Sequence, residues 1–149
     1  MKTLYDKQAA DEIISRIEKI STADKPVWGK MNAAQMMAHC AACLYVVRDE
    51  QQIPRAFISY ILGPVFKKNF YNDKPFGKSS PTAKQFIFPD NTDFETAKED
   101  LIGQIRKFQE GGPEKCTTKP HAFFGKLTQE QWGMGMFKHT DHHLQQFGV

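Results

Sequence analysis

Residues 128–147 of the chain read TQEQWGMGMFKHTDHHLQQF. Thr128 is followed three residues later by Gln131, and this capping-box pair predicts the start of a helix that runs to about Phe147. At about 100° per residue, one stripe of such a helix collects Trp132, Met136, His139, His143 and Phe147. A stripe of large side chains must be buried against neighbouring elements. The segment therefore favours a fold built from packed helices.

Length and composition indicate a single domain over residues 1–149. With 40% hydrophobic and 25% charged residues, the chain has the composition of an ordinary globular protein. A net charge of +3 with dispersed lysines does not favour a nucleic-acid partner. The longest apolar stretch, residues 56–66, is too short to cross a bilayer. Three cysteines without a secretory signal fit a reducing compartment, so we expect a cytoplasmic protein with no membrane partner.

Two helices are predicted in the first third of the chain and a third, less regular one after them. Isoleucines and alanines at helical spacing indicate a helix over residues 5–20. Asn32 is a suitable N-cap for a second helix over residues 33–48. Pro54 suits the first turn of a third apolar segment running to about Phe66, which Gly63-Pro64 should kink or end.

The rest of the chain predicts one long connection and a further helix. Residues 67–91 contain three prolines, Pro75, Pro81 and Pro89, and Phe86–Phe88 is the one piece there that looks extended. Thr92 with Glu95 has capping-box spacing, which predicts a helix that Gly111-Gly112-Pro113 ends. Short loops between helices of this length favour an antiparallel bundle. We therefore expect an all-α, antiparallel four-helix bundle with residues 67–91 as its long irregular connection.

The spacing of His139 and His143 suggests a metal site. Residues four apart are neighbours on one helix face, so both imidazoles could bind the same ion. The alternative is a pair of ordinary hydrogen-bonded histidines near a helix C-terminus, where positive charge is mildly favoured. Gln146 lies on the same side and could hold a ring N–H or a metal-bound water. His142 points about 60° away from His139, so it either supports a ligand without binding the metal itself or lies at the surface.

His39 is the third candidate ligand. It lies at the edge of the predicted apolar face of residues 33–48, where a side chain can reach into a groove between helices. Cys43 lies one turn further on and could approach the same metal as a fourth ligand, although a buried free cysteine is more often a small hydrophobe. Cys40 and Cys43 have redox-motif spacing, but they lie within a helix rather than at its start, which speaks against that chemistry. Cys116 and His121 receive no role.

These motifs together resemble the DinB-like superfamily of metal-dependent enzymes, which includes the YfiT-like proteins. The resemblance covers residues 28–39 (WGKMNAAQMMAH), residues 121–128 (HAFFGKLT) and the final His-x-x-x-His helix with its following glutamine. Relatives often have proline where this chain has Ala122. The resemblance implies a four-helix bundle and a shared three-histidine site, with the glutamine beside it: His39, His139, His143 and Gln146. Characterised relatives include transferases and isomerases that use low-molecular-weight thiols.

A three-histidine site leaves one coordination position for water or a thiolate. Hydrolysis would also need a general base, but Lys138 and Thr140 flank His139 where zinc proteases of the His-Glu type have glutamate, and Asp141 points away. A thiol needs only coordination to lose its proton. We therefore predict a metal-dependent transferase acting on a small-molecule substrate with a low-molecular-weight thiol. A metal-dependent hydrolase and a non-catalytic metal-binding or small-ligand-binding protein are the alternatives.

The metal and the oligomeric state stay open at this point. Affinity order alone does not select among divalent transition metals, so three histidines could bind zinc, nickel, iron or manganese. We expect zinc or nickel first. A homodimer is compatible with the sequence.

Overall fold

The computed structural model describes residues 1–149 and is entirely helical, with no strands. Two 3-10 turns, Lys84–Phe86 and Pro113–Lys115, interrupt the connections. None of the helices combines the length and the apolar character that crossing a membrane requires. The five α-helices are α1 (Lys7–Glu18), α2 (Ala33–Val47), α3 (Ile58–Phe70), α4 (Phe94–Gly111) and α5 (Gln129–Gln146).

Three of the helix starts follow from local hydrogen bonds. The Asp6 carboxylate accepts the Gln8 N–H at the start of α1. Asn32 and Gln35 form a reciprocal capping box at the start of α2. Thr128 and Gln131 do the same at α5, as the sequence predicts. Each pair satisfies backbone N–H groups that the first turn would otherwise leave without partners.

The predicted start of α4 was wrong by one residue. Asp93, rather than Thr92, is the N-cap, because its carboxylate accepts the Thr96 N–H at 2.8 Å. The Thr92 hydroxyl instead donates to the Pro89 carbonyl at 2.7 Å. Aspartate is the stronger N-cap of the two residue types. The predicted stop is present, since α4 ends at Gly111 and Gly112 has a φ of 59°.

The third helix departs most from the prediction. It begins at Ile58 rather than near Pro54, and it continues through Gly63-Pro64 as far as Phe70. Two tertiary contacts support the helix on either side of the proline. Gly63 lies so close to the Phe123 carbonyl that any Cβ would overlap it, and the Phe70 ring lies against Gly135 of α5 in the same way. This packing offsets the hydrogen bond that Pro64 removes.

Helices α1, α2, α4 and α5 surround one core. The most extensive contact is between α2 and α4, α1 contacts α4 and α5, and α5 also contacts α2, whereas α3 lies on α5. The long connection returns to α2 through the 3-10 turn Lys84–Phe86. Phe86, predicted to be extended, belongs to this turn, whereas Ile87 after it has extended dihedral angles. The largest fully buried side chains include Leu4, Ile13, Ile17, Met36, Met37, Leu44, Leu101, Ile105, Phe108 and Leu144.

Candidate metal centre

The contact between α2 and α5 brings three histidine rings together. His39 Nε2 lies 3.1 Å from His139 Nε2. The His39 and His143 ring centroids are 4.8 Å apart, and those of His139 and His143 are 4.7 Å apart. Residues a hundred positions apart in sequence are thus neighbours, because α2 and α5 pack side by side. The three sequence-predicted histidines lie in one cluster.

Hydrogen bonds fix the tautomers of His39 and His143. The Nδ1 atom of His39 lies 3.1 Å from the Phe86 carbonyl oxygen, and that of His143 lies 2.9 Å from Oε1 of Gln146. Both partners are oxygens that accept, so each Nδ1 carries the proton and donates. Each Nε2 then keeps its lone pair. This is the arrangement found in metal-ligating histidines, whose second nitrogen is held by an outer hydrogen bond.

His139 provides a test of whether a metal fits the site. Its Nδ1 is enclosed and has no hydrogen-bond partner, which is uncommon for a buried polar atom. Its Nε2 faces the lone pair of His39 Nε2. Two nitrogens bound to one tetrahedral zinc ion lie about 3.3 Å apart, close to the 3.1 Å observed here. The spacing of His39 and His139 therefore fits a divalent transition metal, whose identity the geometry does not select. The sets of three close ligand atoms join this pair to Cys43, and His139 and His143 to Cys40.

Burial keeps the cluster neutral. Burial, together with the neighbouring His39 and against the opposing effect of the Gln146 hydrogen bond, lowers the pKa of His143 to about 3. Burial, reinforced by the nearby His143 and His39, also lowers the pKa of His139 well below its ordinary value. The pKa of His39 is lowered by burial too. Neutral imidazole is the form that binds metals, so protons do not compete for these rings near pH 7.

Two cysteines of α2 lie next to the histidines. Cys43 forms a triad with His39 and His139, and Cys40 forms another with His139 and His143; within each triad the potential ligand atoms lie within 4.8 Å of one another. The sequence indicated Cys43 but gave Cys40 no role. Burial raises the pKa of Cys43 to about 12 and that of Cys40 further above the ordinary thiol value, so both are protonated without a metal.

Gln146 connects the cluster to the loop before α2. Its Oε1 accepts from His143 Nδ1, and its Nε2 donates to the Trp28 carbonyl at 2.7 Å. Its own carbonyl accepts the Val27 N–H at 2.7 Å. Gly29, with a φ of 83°, allows this approach, because a Cβ there would overlap Nε2 of Gln146. The sequence-predicted partner of a ring N–H thus lies beside His143 and bonds to it.

His142 lies beside the cluster but makes no hydrogen bond to it. Its ring centroid is 5.3 Å from that of His143, and it packs against Trp28 and Phe76 at 5.8 and 5.7 Å. Burial lowers its pKa. The side chain therefore belongs to an aromatic cover over the histidines rather than to the hydrogen bonds that orient them.

His121 is a residue whose position the sequence did not reveal. Its Nδ1 accepts the N–H groups of Phe123 and Phe124, at 2.9 and 3.2 Å, and so shapes the turn before α5. The ring packs at centroid distances of 4.7–5.1 Å against Phe124, Phe70 and Trp132. Burial, aided by the charge of Arg55, lowers its pKa to about 4. The bulky apolar residues at 123 and 124 were the only sequence signal for this burial.

Neither triad contains a carboxylate. Asp141, the acidic residue nearest in sequence to the histidines, pairs with Arg16 at 2.6 Å and accepts from Gln145 at 2.7 Å. Both of its oxygens are therefore engaged away from the cluster. The donor set of this region is imidazole and thiol.

Comparison with known proteins places the chain in a family. The family described as "Protein of unknown function (DUF1569)" matches residues 3–148, nearly the whole chain. The chain belongs to this family. No curated protein and no solved structure matches it.

Proposed function

We propose that this protein is a DinB-like metalloenzyme in which His39, His139 and His143 hold one divalent transition metal. Mutual packing of α1, α2, α4 and α5 supports a four-helix bundle, with α3 as part of the long connection. The resemblance of residues 28–39 and of the His-x-x-x-His helix to that superfamily supports the same fold. The observation that carries the proposal is the outer hydrogen bonding of His39 and His143, which leaves Nε2 of both rings free to bind a metal. His39 Nε2 lies 3.1 Å from His139 Nε2, and the His143 ring packs against that of His139.

The proposed reaction is transfer with a low-molecular-weight thiol acting on a small-molecule substrate. A divalent ion held by neutral histidines would lower the pKa of a coordinated thiol so that thiolate forms near pH 7. The chain itself supplies orientation: the Phe86 carbonyl and Gln146 hold the rings of His39 and His143. Hydrolysis would need a base beside the attacking water, and the pairing of Asp141 with Arg16 leaves it unsuited to that task.

A non-catalytic metal-binding protein is the second candidate, and the two cysteines favour it. Sites closed by cysteine and histidine together are typical of structural zinc, which has no free position for a substrate. Cys40 and Cys43 each belong to a triad with His139. The two functions therefore differ in whether a cysteine of the protein, Cys40 or Cys43, completes the coordination of the metal.

One experiment separates these functions. The protein is purified without a histidine tag, its metal content is measured, and the apo form is loaded in turn with zinc, nickel, iron, manganese and cobalt. We expect one ion per chain, histidine coordination without a thiolate-to-cobalt charge-transfer band, and metal-dependent conjugation or isomerisation with a cellular thiol. A strong charge-transfer band that Cys40→Ser or Cys43→Ser removes would instead establish the mixed site.

Substitutions test the ligands directly. His39→Ala, His139→Ala or His143→Ala should each abolish stoichiometric metal binding, because two ligands hold a dication poorly. His142→Ala is the matched neighbour and should retain about one ion per chain, since its ring bonds to none of the three. Ester or amide hydrolysis without any thiol-dependent turnover would contradict the transferase and support the hydrolase.

A further inference from the structure

One side of α3 is buried, and exposed apolar side chains cover most of the rest of the helix surface. Ser59, Gly63 and Phe70 are the buried residues of this helix. Gly63 packs against the turn before α5, and Phe70 packs against α5 itself. On the other side, large hydrophobic side chains are 39–80% exposed. We call this set the α3 apolar face: Phe57, Ile58, Tyr60, Ile61, Leu62, Val65 and Phe66.

The α3 apolar face is larger than a monomer ordinarily exposes. The exposed fractions, scaled by the sizes of these side chains, amount to roughly 800–900 Å² on one copy. The largest apolar patch of a typical monomer is about 300–600 Å². A standard protein–protein interface buries about 800 Å² on each partner. The exposed apolar surface of α3 is therefore comparable in area with one side of a standard interface.

Its composition matches the centre of an interface. Three of the seven residues are aromatic and none is charged, and interface cores are enriched in aromatics and depleted in charge. Charged residues lie only at the two ends. Arg55 stacks on the Tyr60 ring at 3.9 Å and donates to the Ser59 carbonyl, while Lys67 and Lys68 occupy the last turn.

The occupant that fits this surface is a second copy of the chain. A two-fold dimer brings the same patch of both copies together, so an uncharged patch meets no like charge at its centre. A helix that binds a membrane surface carries basic residues along its polar face. In α3 the side opposite the apolar residues is buried in the protein, which leaves no such polar face. We propose that the α3 apolar face is the interface of a homodimer in which α3 packs against α3 of the partner.

Val65 and Val27 offer a matched test. Both are valines, and their exposed fractions are 73% and 72%, but Val27 lies in the loop before α2, outside the α3 apolar face. Sedimentation equilibrium of the full chain should give twice the mass of one chain at micromolar concentration. Val65→Glu should raise the dimer Kd by at least about 30-fold, the scale of a lost hot spot. Val27→Glu should leave the dimer Kd unchanged.

Circular dichroism and thermal unfolding of both variants show that the fold is retained; if Val65→Glu does not fold, Ile61→Lys serves in its place. A wild-type chain that stays monomeric at high micromolar concentration would overturn the proposal. So would a dimer that Val65→Glu and Val27→Glu affect equally. A monomer that sediments with vesicles of phosphatidylglycerol, but not when it carries Val65→Glu, would assign the face to a membrane surface instead.

Discussion

His143 donates a hydrogen bond from Nδ1 to Oε1 of Gln146 across 2.9 Å, one turn further along α5. The same glutamine donates to the Trp28 carbonyl, so one side chain both orients a candidate ligand and anchors the loop that leads to α2. The two ends of the proposed metal site, on α2 and on α5, are thus connected by a route other than the ion itself. Gln146 is therefore the residue outside the proposed ligands whose substitution tests the proposed metal site most directly.

Gln146→Ala should weaken metal binding by about 10–100-fold, because the ring of His143 loses the acceptor that sets its tautomer. The adjacent Gln145→Ala is the control, since Gln145 is exposed and bonds only to Asp141. Competition with a chromophoric chelator measures both affinities. Gln146→Glu keeps an acceptor for Nδ1 and should bind metal better than the alanine variant. Equal affinities for the wild type and Gln146→Ala would show that the hydrogen bond does not support a ligand.

Local sequence signals were sufficient to predict much of the helical structure. Thr128 with Gln131 marks a helix start through bonds made within three residues, so the signal does not depend on the rest of the fold. The same holds for Asn32 with Gln35. Pro64 shows the limit of such reasoning, because its helix continues only where Phe123 and Gly135 support it from distant parts of the chain.

In the candidate site, too, some features follow from local sequence and others depend on tertiary packing. Helical spacing alone places His139 and His143 on one face. The position of His39 at the edge of its predicted apolar face made it the third candidate, and the resemblance to a known superfamily supported that choice. The nearness of Cys40 depends on how α2 is rotated against α5, and a helix buried on most sides gives little periodicity from which to read that rotation. The burial of His121 depends on the aromatic rings of Phe70 and Trp132, which come from two other helices.

Two helical glycines should respond oppositely to alanine. Gly135 faces the ring of Phe70, and a Cβ there would overlap it, whereas Gly103 of α4 has open space around it. Gly103→Ala should raise the free energy of unfolding by about 0.5–1 kcal/mol, the usual gain within a helix. Gly135→Ala should lower it by about 1–3 kcal/mol, because overpacking outweighs that gain.

Urea unfolding of the two glycine variants measures both changes. The double variant Gly135→Ala with Phe70→Leu should recover part of the loss, since the smaller side chain makes room for the methyl group. A Gly135→Ala protein as stable as Gly103→Ala would mean that α3 and α5 are not in close contact at this point.

The metal-free protein should lose stability as the pH falls below about 6.5. The pKa of His143 is lowered to about 3 and that of His121 to about 4 in the folded chain, against an ordinary value of 6.5. Between these values and 6.5 the unfolded chain binds more protons than the folded chain, so lowering the pH favours unfolding. The stabilising contribution of these neutral histidines is fully present above about pH 6.5. It declines as the pH falls from 6.5 to the pKa values of the folded chain. Within this pH window each such histidine lowers the free energy of unfolding by about 1.4 kcal/mol for each unit by which the pH falls.

Urea midpoints measured with a chelator present at pH 5, 6 and 7 test this pH dependence while most carboxylates stay ionised. We expect a fall of at least about 2.5 kcal/mol between pH 6 and pH 5, the effect of two histidines. His121→Gln, whose side-chain oxygen can still accept from the Phe123 amide, should reduce that fall by about one histidine's share, because glutamine does not titrate. Constant stability from pH 7 to pH 5 would show that these rings are not buried in the neutral form.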